Sequence, residues 1–134
     1  MAEIKKINHV AIAVEDIERS LDFWKDALGI QMDHMENVPS QNVKVAFLPV
    51  GDSEIELVQP TSEDTGTAKF LKTRGPGMHH ICLEVDDIDA MLADLRVKDV
   101  KLINETPIEL EGRKIAFIHP KSSNGVLIEL YQIL

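Results

Sequence analysis

Two histidines and two glutamates recur in equivalent places along this chain. His9 opens the segment His9-Val10-Ala11-Ile12-Ala13-Val14-Glu15-Asp16-Ile17, and His80 opens its echo, His80-Ile81-Cys82-Leu83-Glu84-Val85-Asp86-Asp87-Ile88. Each copy later delivers an Ile-Glu-Leu triplet, Ile55-Glu56-Leu57 and Ile128-Glu129-Leu130. Two imidazoles and two carboxylates form a mixed nitrogen and oxygen donor set that suits a divalent metal, and an octahedral ion would keep two positions for water or substrate. Such a site acts as a Lewis acid. The rival reading is four polar residues lining a metal-free pocket. Against it, the neighbours of these residues are apolar or small, and a buried carboxylate is costly without a cation or donor. His79 points the other way on its strand, and His34 and His119 have no repeat partner of the same type, so these three fall outside the set.

The elements that must position the four residues follow from apolar spacing. Residues 7–14 read as a strand. Asp16 then caps a helix whose Ile17, Leu21, Trp24 and Leu28 keep helical spacing, with Gly29 as its stop. Segment 30–36 supplies a further strand. Residues 43–49 and 53–58 form a hairpin about Gly51-Asp52, and Pro60 breaks its second arm. In the second copy, strand 80–85 leads to a helix capped by Asp86 or Asp87, with Ile88, Met91, Leu92 and Leu95 on one stripe. Strands near 100–104, 113–118 and 126–132 follow. Between the copies, Thr65 to Arg74 forms a short helix ended by Gly75-Pro76-Gly77.

The expected fold is therefore α+β: two tandem βαβββ modules forming a curved mixed sheet around a metal-binding cleft, with helices on the outer face. Residues 1–134 make a single domain, with module 1 at about 4–62, the connector at about 63–77 and module 2 at about 78–134. Strand alternation sends Val10, Ile12 and Val14 toward the helix and His9, Ala11 and Ala13 toward the cleft. Likewise Ile81, Leu83 and Val85 pack inward, while His80, Cys82 and Glu84 take the cleft face. Small Ala11, Ala13 and Cys82 leave room beside the metal position. Gln59, three residues after Glu56, falls on the opposite strand face. The repeated acids Glu15, Asp16, Asp86 and Asp87 read as helix caps.

Composition excludes other classes. A net charge of −9 over 134 residues argues against a general binder of nucleic acid, whose affinity rests on clustered Lys and Arg. The few basic residues near 113–121 remain available to an anionic small molecule. No apolar run reaches transmembrane length, and the N-terminus leads into a strand, so no membrane association is expected and a cytoplasmic location is the default. Cys82 is the sole cysteine, which precludes an internal disulfide and suits a small buried residue.

At this point the chain resembles the vicinal oxygen chelate superfamily, the glyoxalase/bleomycin resistance/dioxygenase group, whose members pair βαβββ modules around a divalent metal. More narrowly, Ile7 to Val14, Gly77-Met78-His79-His80-Ile81-Cys82 and His119-Pro120-Lys121-Ser122-Ser123-Asn124-Gly125-Val126-Leu127-Ile128-Glu129-Leu130 are similar to its methylmalonyl-CoA epimerase family. That resemblance implies metal ligands at His9, Glu56, His80 and Glu129, cobalt as the ion, a homodimer, and an acyl-CoA thioester as substrate. The residues alone do not choose among cobalt, nickel, zinc and manganese. The implied reaction interconverts the C2 epimers of methylmalonyl-CoA, a step linking propionyl-CoA and succinyl-CoA metabolism. A metal would spread the enolate charge, Glu129 would serve as one base, and inversion demands a second acid on the other face. Glu56 holds the equivalent place on the other module. Some members carry a glutamate at the position of Val45 as second base; here that carboxylate is missing. Lys121, Ser122 and Ser123 are the expected contacts to the acyl-CoA.

Two other functions compete. A glyoxalase I-like lactoylglutathione lyase also moves a proton through an enolate between two glutamates. A non-catalytic binding protein of the same fold would hold a metabolite without turnover, and such proteins often lack the metal ligands. All four are present, and the His-Pro-Lys-Ser loop favours the CoA reading.

Overall fold

The computed structural model describes residues 2–134. Its strands and α-helices run β1 (Ile4–Ala13), α1 (Ile17–Leu21), β2 (His34–Val38), β3 (Val43–Val50), β4 (Ser53–Pro60), α2 (Gly66–Arg74), β5 (Gly77–Val85), α3 (Ile88–Val97), β6 (Ile108–Leu110), β7 (Arg113–Ile118) and β8 (Leu127–Ile133). The chain divides into two compact units, His9–His79 and His80–Leu134, the latter taking in the residues up to Asn8. The first half of β1 thus sorts with the second module and the other half with the first. Within each unit the strand, helix and three further strands of a βαβββ module are present.

In the unit of residues 9–79 the strands lie in the order β2, β3, β4, β1, with β1 and β4 parallel and the other pairs antiparallel. Mixed pairing is what a β-α-β-β-β path produces, since the helix crossover returns the chain in the same direction. One sheet face carries Ile12, Val14, Ala46, Leu48, Ile55 and Leu57, packed on Ile17, Leu21 and Trp24. The other carries Ala11, Val43, Val45 and Val58 with Phe47. The hairpin turns at Gly51, whose φ of 59° is the left-handed conformation that a glycine adopts without steric cost.

The helix after β1 departs from the expected single α-helix. After Leu21 it widens into a π-helical stretch, Asp22–Ala27, in which the Leu28 N–H donates to the Phe23 carbonyl at 2.9 Å. The extra residue per turn rotates the apolar stripe. Trp24 stays on the core, while Phe23 and Leu28 are left exposed. Gly29 stops the helix as expected, with φ of 80°. The following strand starts at His34 rather than near 30, because Ile30 and Met32 pack on the helix-side core first.

The second unit orders β5, β8, β7, β6, with Ile4–Asn8 of β1 beside β5. Here β5 and β8 are parallel and the rest of this series antiparallel. Ile88, Met91, Leu92 and Leu95 of α3 pack on Leu83, Val85, Ala116, Ile118, Ile128 and Leu130, the stripe the spacing predicted. The strand expected near 100–104 is a single bridge, Leu102 to Ile118. The reason is local: Asn104 folds back so that its Oδ1 accepts from the Phe117 N–H at 2.8 Å, which competes with ladder formation. The edge strand is instead β6, unforeseen from sequence. Among the described residues no helix is long and apolar enough to cross a membrane.

Candidate active site

In the first unit, β1 and β4 run parallel with Ala11 opposite Glu56. His9 and Glu56 therefore share a face on adjacent strands, and His9 Nδ1 lies 3.1 Å from Glu56 Oε2. Their side chains are only 6% and 14% exposed. In the second unit, β5 and β8 set Cys82 opposite Glu129, and His80 Nε2 lies 3.0 Å from Glu129 Oε1, with side chains 12% and 9% exposed. Each unit has thus built the same device from the same register: a histidine two residues before the position paired with a carboxylate on the parallel neighbour. Alternation places them as expected, on the faces away from the helix-side cores. Ala11, Ala13 and Cys82 are fully buried.

These pairs are chemically demanding. A buried carboxylate needs a compensating charge or donors, and an imidazole at 3 Å supplies one partner for each. Neutral imidazole nitrogen and carboxylate oxygen are also the donors that intermediate divalent metals accept. The residues therefore fit the metal ligand set implied by the sequence.

Aromatic rings line both pairs. Phe47 stands opposite Glu56 and Phe117 opposite Glu129, a repeated wall that sequence reasoning missed. The Phe117 ring meets His80 edge-on, with centroids 5.9 Å apart. Phe47 is stacked by His34 at 4.4 Å with an interplanar angle of 14°.

Gln59 is on the opposite strand face from Glu56, as alternation required, and its role is structural. Its Oε1 accepts from the Ile17 N–H at 2.9 Å at the start of α1. Gln132 does the same for Ile88 N–H at 2.8 Å. The repeated Glu-x-x-Gln of Glu56 to Gln59 and Glu129 to Gln132 is the signal that could have found this. One strand thus presents its carboxylate on one face and ties the helix start on the other. Asp16 and Asp87 cap α1 and α3 through Arg19 N–H and Ala90 N–H. The neighbouring acid Asp86 does not cap its helix. It accepts from the Glu3 N–H at 2.8 Å, and that bond holds its carboxyl below the usual range. Glu15 is not the cap of α1 either, because Asp16 holds that position.

The three histidines set aside have separate roles. His79 packs edge-on against Phe70. His119 Nδ1 accepts from the Lys121 N–H at 3.0 Å; burial, then the nearby Lys101 and Lys121, lowers its pKa. His34 lies between Asp33 and Glu36, 2.6 Å and 3.1 Å away. The Asp33 bond is the chief cause of its raised pKa, against a smaller opposing effect of burial. In the loop after β7, the Ser122 hydroxyl oxygen accepts from Lys101 N–H at 2.8 Å and the Ser123 hydroxyl donates to the Val126 carbonyl at 2.5 Å. Lys121 is exposed.

Residues 8–117 match the model of the glyoxalase/bleomycin resistance protein/dioxygenase superfamily, and the chain belongs to that superfamily. Mitochondrial methylmalonyl-CoA epimerase of Homo sapiens is 43% identical over 129 residues, covering 95% of this chain and 73% of the human protein. Methylmalonyl-CoA epimerase from Mycobacterium tuberculosis superposes with a TM-score of 0.89 at 37% identity, covering 98% of this chain and 89% of that one. A further solved methylmalonyl-CoA epimerase, in complex with methylmalonyl-CoA and NH4+, gives 0.88 at 34% identity, over 98% of this chain and 96% of the other. Within the superfamily, the chain belongs to the methylmalonyl-CoA epimerases.

Proposed function

We propose that this protein interconverts the (R) and (S) C2 epimers of methylmalonyl-CoA. The observation that carries the reading is a buried His–Glu pair at the same strand register in each unit, met through Nδ1 in one and Nε2 in the other, in a chain whose epimerase relatives match it nearly end to end. His9, Glu56, His80 and Glu129 are the proposed ligands of one divalent ion, which supplies Lewis-acid stabilisation of enolate charge when bound. Cobalt and a homodimer, from family resemblance, and a cytoplasmic location and a single domain of two modules, from the sequence, complete the proposal.

The C2–H bond lies beside a thioester and is weakly acidic. Glu129 is the proposed first base: it takes the proton, the bonding pair enters the enolate, and a proton delivered to the other face completes inversion. Glu56, equivalent to Glu129 in its own unit, is the second carboxylate at hand. Phe47 and Phe117, opposite the two carboxylates on the next strands, place apolar surface beside them, where electrostatic interactions are stronger than in water. Lys121, Ser122 and Ser123 are the proposed CoA contacts; the serines shape the loop through their backbone bonds and Lys121 carries the charge for a phosphate or carboxylate.

The test is proton NMR of methylmalonyl-CoA in heavy water with cobalt-loaded protein. Deuterium entering C2 in a metal- and Glu129-dependent way is the expected result. No exchange above the metal-free background would overturn the assignment, and activity on a glutathione hemithioacetal instead would redirect it to the lyase reaction.

A further inference from the structure

The stretch expected as a strand at 100–104 has another use in the second unit. Its backbone grips the end of β7: the Ile103 N–H donates to the Phe117 carbonyl, and the His119 N–H donates to the Lys101 carbonyl, both at 2.9 Å. The Lys101 N–H in turn donates to the Ser122 hydroxyl oxygen at 2.8 Å. Both backbone groups of Lys101 are thus committed to the loop that follows β7, which fixes where its side chain emerges. Phe117 stands opposite Glu129, and His119 lies two residues further along the chain, about 7 Å if extended. All of these residues belong to one unit.

Two cations and a directed donor meet there. Lys101 and Lys121 are exposed, and both charges reach His119, lowering its pKa after burial has done so. In a chain with 23 acidic residues against 14 basic ones, neither lysine has a carboxylate within 4 Å among the described residues. His119 Nδ1 accepts from the Lys121 N–H at 3.0 Å, so the neutral ring carries its proton on Nε2. That N–H has no acceptor among the described residues. Two positive charges and a neutral donor complement a dianion. A carboxylate brings one negative charge, whereas a phosphate monoester brings nearly two and three strong acceptor oxygens. The exposed position also suits the tail of a long ligand better than its reacting end. In the first unit the stretch after Phe47 reads Leu48-Pro49-Val50-Gly51 and carries no charge, so the cluster is built once.

We propose that Lys101, Lys121 and the His119 Nε2–H form a phosphate site that holds a phosphate of the coenzyme A moiety. This rests on the epimerase reading and deepens it: Lys121 takes a phosphate rather than the substrate carboxylate, and Lys101 and His119 join it. Ser122 acts as the positioning residue, because its hydroxyl oxygen ties the Lys101 backbone to the loop that carries Lys121.

The test compares wild type with Lys101→Ala, Lys101→Arg and Lys121→Ala in the metal-loaded full chain. Three substrates are used: methylmalonyl-CoA, its 3′-dephospho form, and the methylmalonyl thioester of pantetheine, which keeps the carboxylate and has no phosphate. Each alanine is expected to raise KM for methylmalonyl-CoA roughly tenfold with little change in kcat, the pattern of a lost ground-state contact. Lys101→Arg should restore it. The rise should disappear on the pantetheine thioester, and its persistence or loss on the dephospho form tells the diphosphate from the 3′-phosphate. A readout independent of turnover is the His119 ring signal in proton NMR, identified by its loss in His119→Gln. Free coenzyme A should shift it saturably in wild type, pantetheine should not, and the shift should be lost when both lysines are alanine. Unchanged KM in both alanine variants, no shift with coenzyme A, or an equal penalty on the pantetheine thioester would overturn the proposal, the last by assigning the lysines to the carboxylate. A wild-type protein that shows the shift but never turns over methylmalonyl-CoA would overturn the epimerase reading while supporting the phosphate site.

Discussion

The two units repeat their centres and differ at their edges. Both place a histidine beside a glutamate on parallel neighbouring strands, back that carboxylate with a phenylalanine on the next strand, and use a glutamine three residues on to hold a helix start. Beyond the phenylalanine they diverge. Outside Phe47 runs the five-residue strand β2, with His34 stacked on the ring and Glu36 opposite Val45. Outside Phe117 the described residues include no strand partner; the backbone of Ile103 and the side chain of Asn104 clasp it, and the short β6 sets Ile108 opposite Ile115 and Leu110 opposite Arg113. The repeated centre suits a role that the two copies fill alike.

The most severe way to break the equivalence is at the carboxylates. Glu129→Ala and Glu56→Ala are each expected to lower epimerisation by at least about 10²-fold and to reduce metal retained after gel filtration. If Glu56→Ala kept full activity, the two centres would not be functionally alike. A second comparison concerns the cores: Leu57→Ala and Leu92→Ala remove fully buried side chains from the two helix-side clusters, and each should cost about 2–5 kcal/mol in denaturant unfolding. Two separated transitions would show the units unfolding independently; one would show them coupled.

Next come the glutamine ties. Gln59→Ala and Gln132→Ala each leave the first helix N–H without its side-chain acceptor, an expected loss of about 1–3 kcal/mol by thermal or denaturant melting. Equal losses would confirm the repeated Glu-x-x-Gln as one structural device. The gentlest probe is histidine titration by NMR. His34 should titrate above its ordinary 6.5 and His119 below it. In the interval between those midpoints His34 carries its proton and His119 is neutral. In Asp33→Asn the His34 midpoint should move down, since the Asp33 bond is the chief cause of its elevation.

How much could be read beforehand varies with the range of the forces involved. The repeat itself, the two strand–helix openings, the hairpin at Gly51 and the stop at Gly29 follow from alternation, capping and glycine conformation within a few residues, and all are found. That His9, Glu56, His80 and Glu129 belong to one candidate set was legible because duplication supplied a second copy of each residue; which histidine meets which glutamate was not. The π-helical turn at Asp22–Ala27 was not, since both helical periods turn Trp24 inward and only packing on the helix-side core selects between them. Nor was the loss of strand 100–104, where a side chain of Asn104 takes a bond the ladder would have used.

The sequence by itself determined residue chemistry and strand face: an acidic, single-cysteine chain with duplicated His and Glu on the small-residue faces of alternating strands. Tertiary structure alone decided which strands became neighbours and in what register. Register places Glu36 opposite Val45 and His34 opposite Phe47, contacts between residues that no local periodicity relates. Side-chain direction is fixed by the geometry of each residue's own strand, whereas register is settled by the turn and by the packing of every strand in the sheet at once.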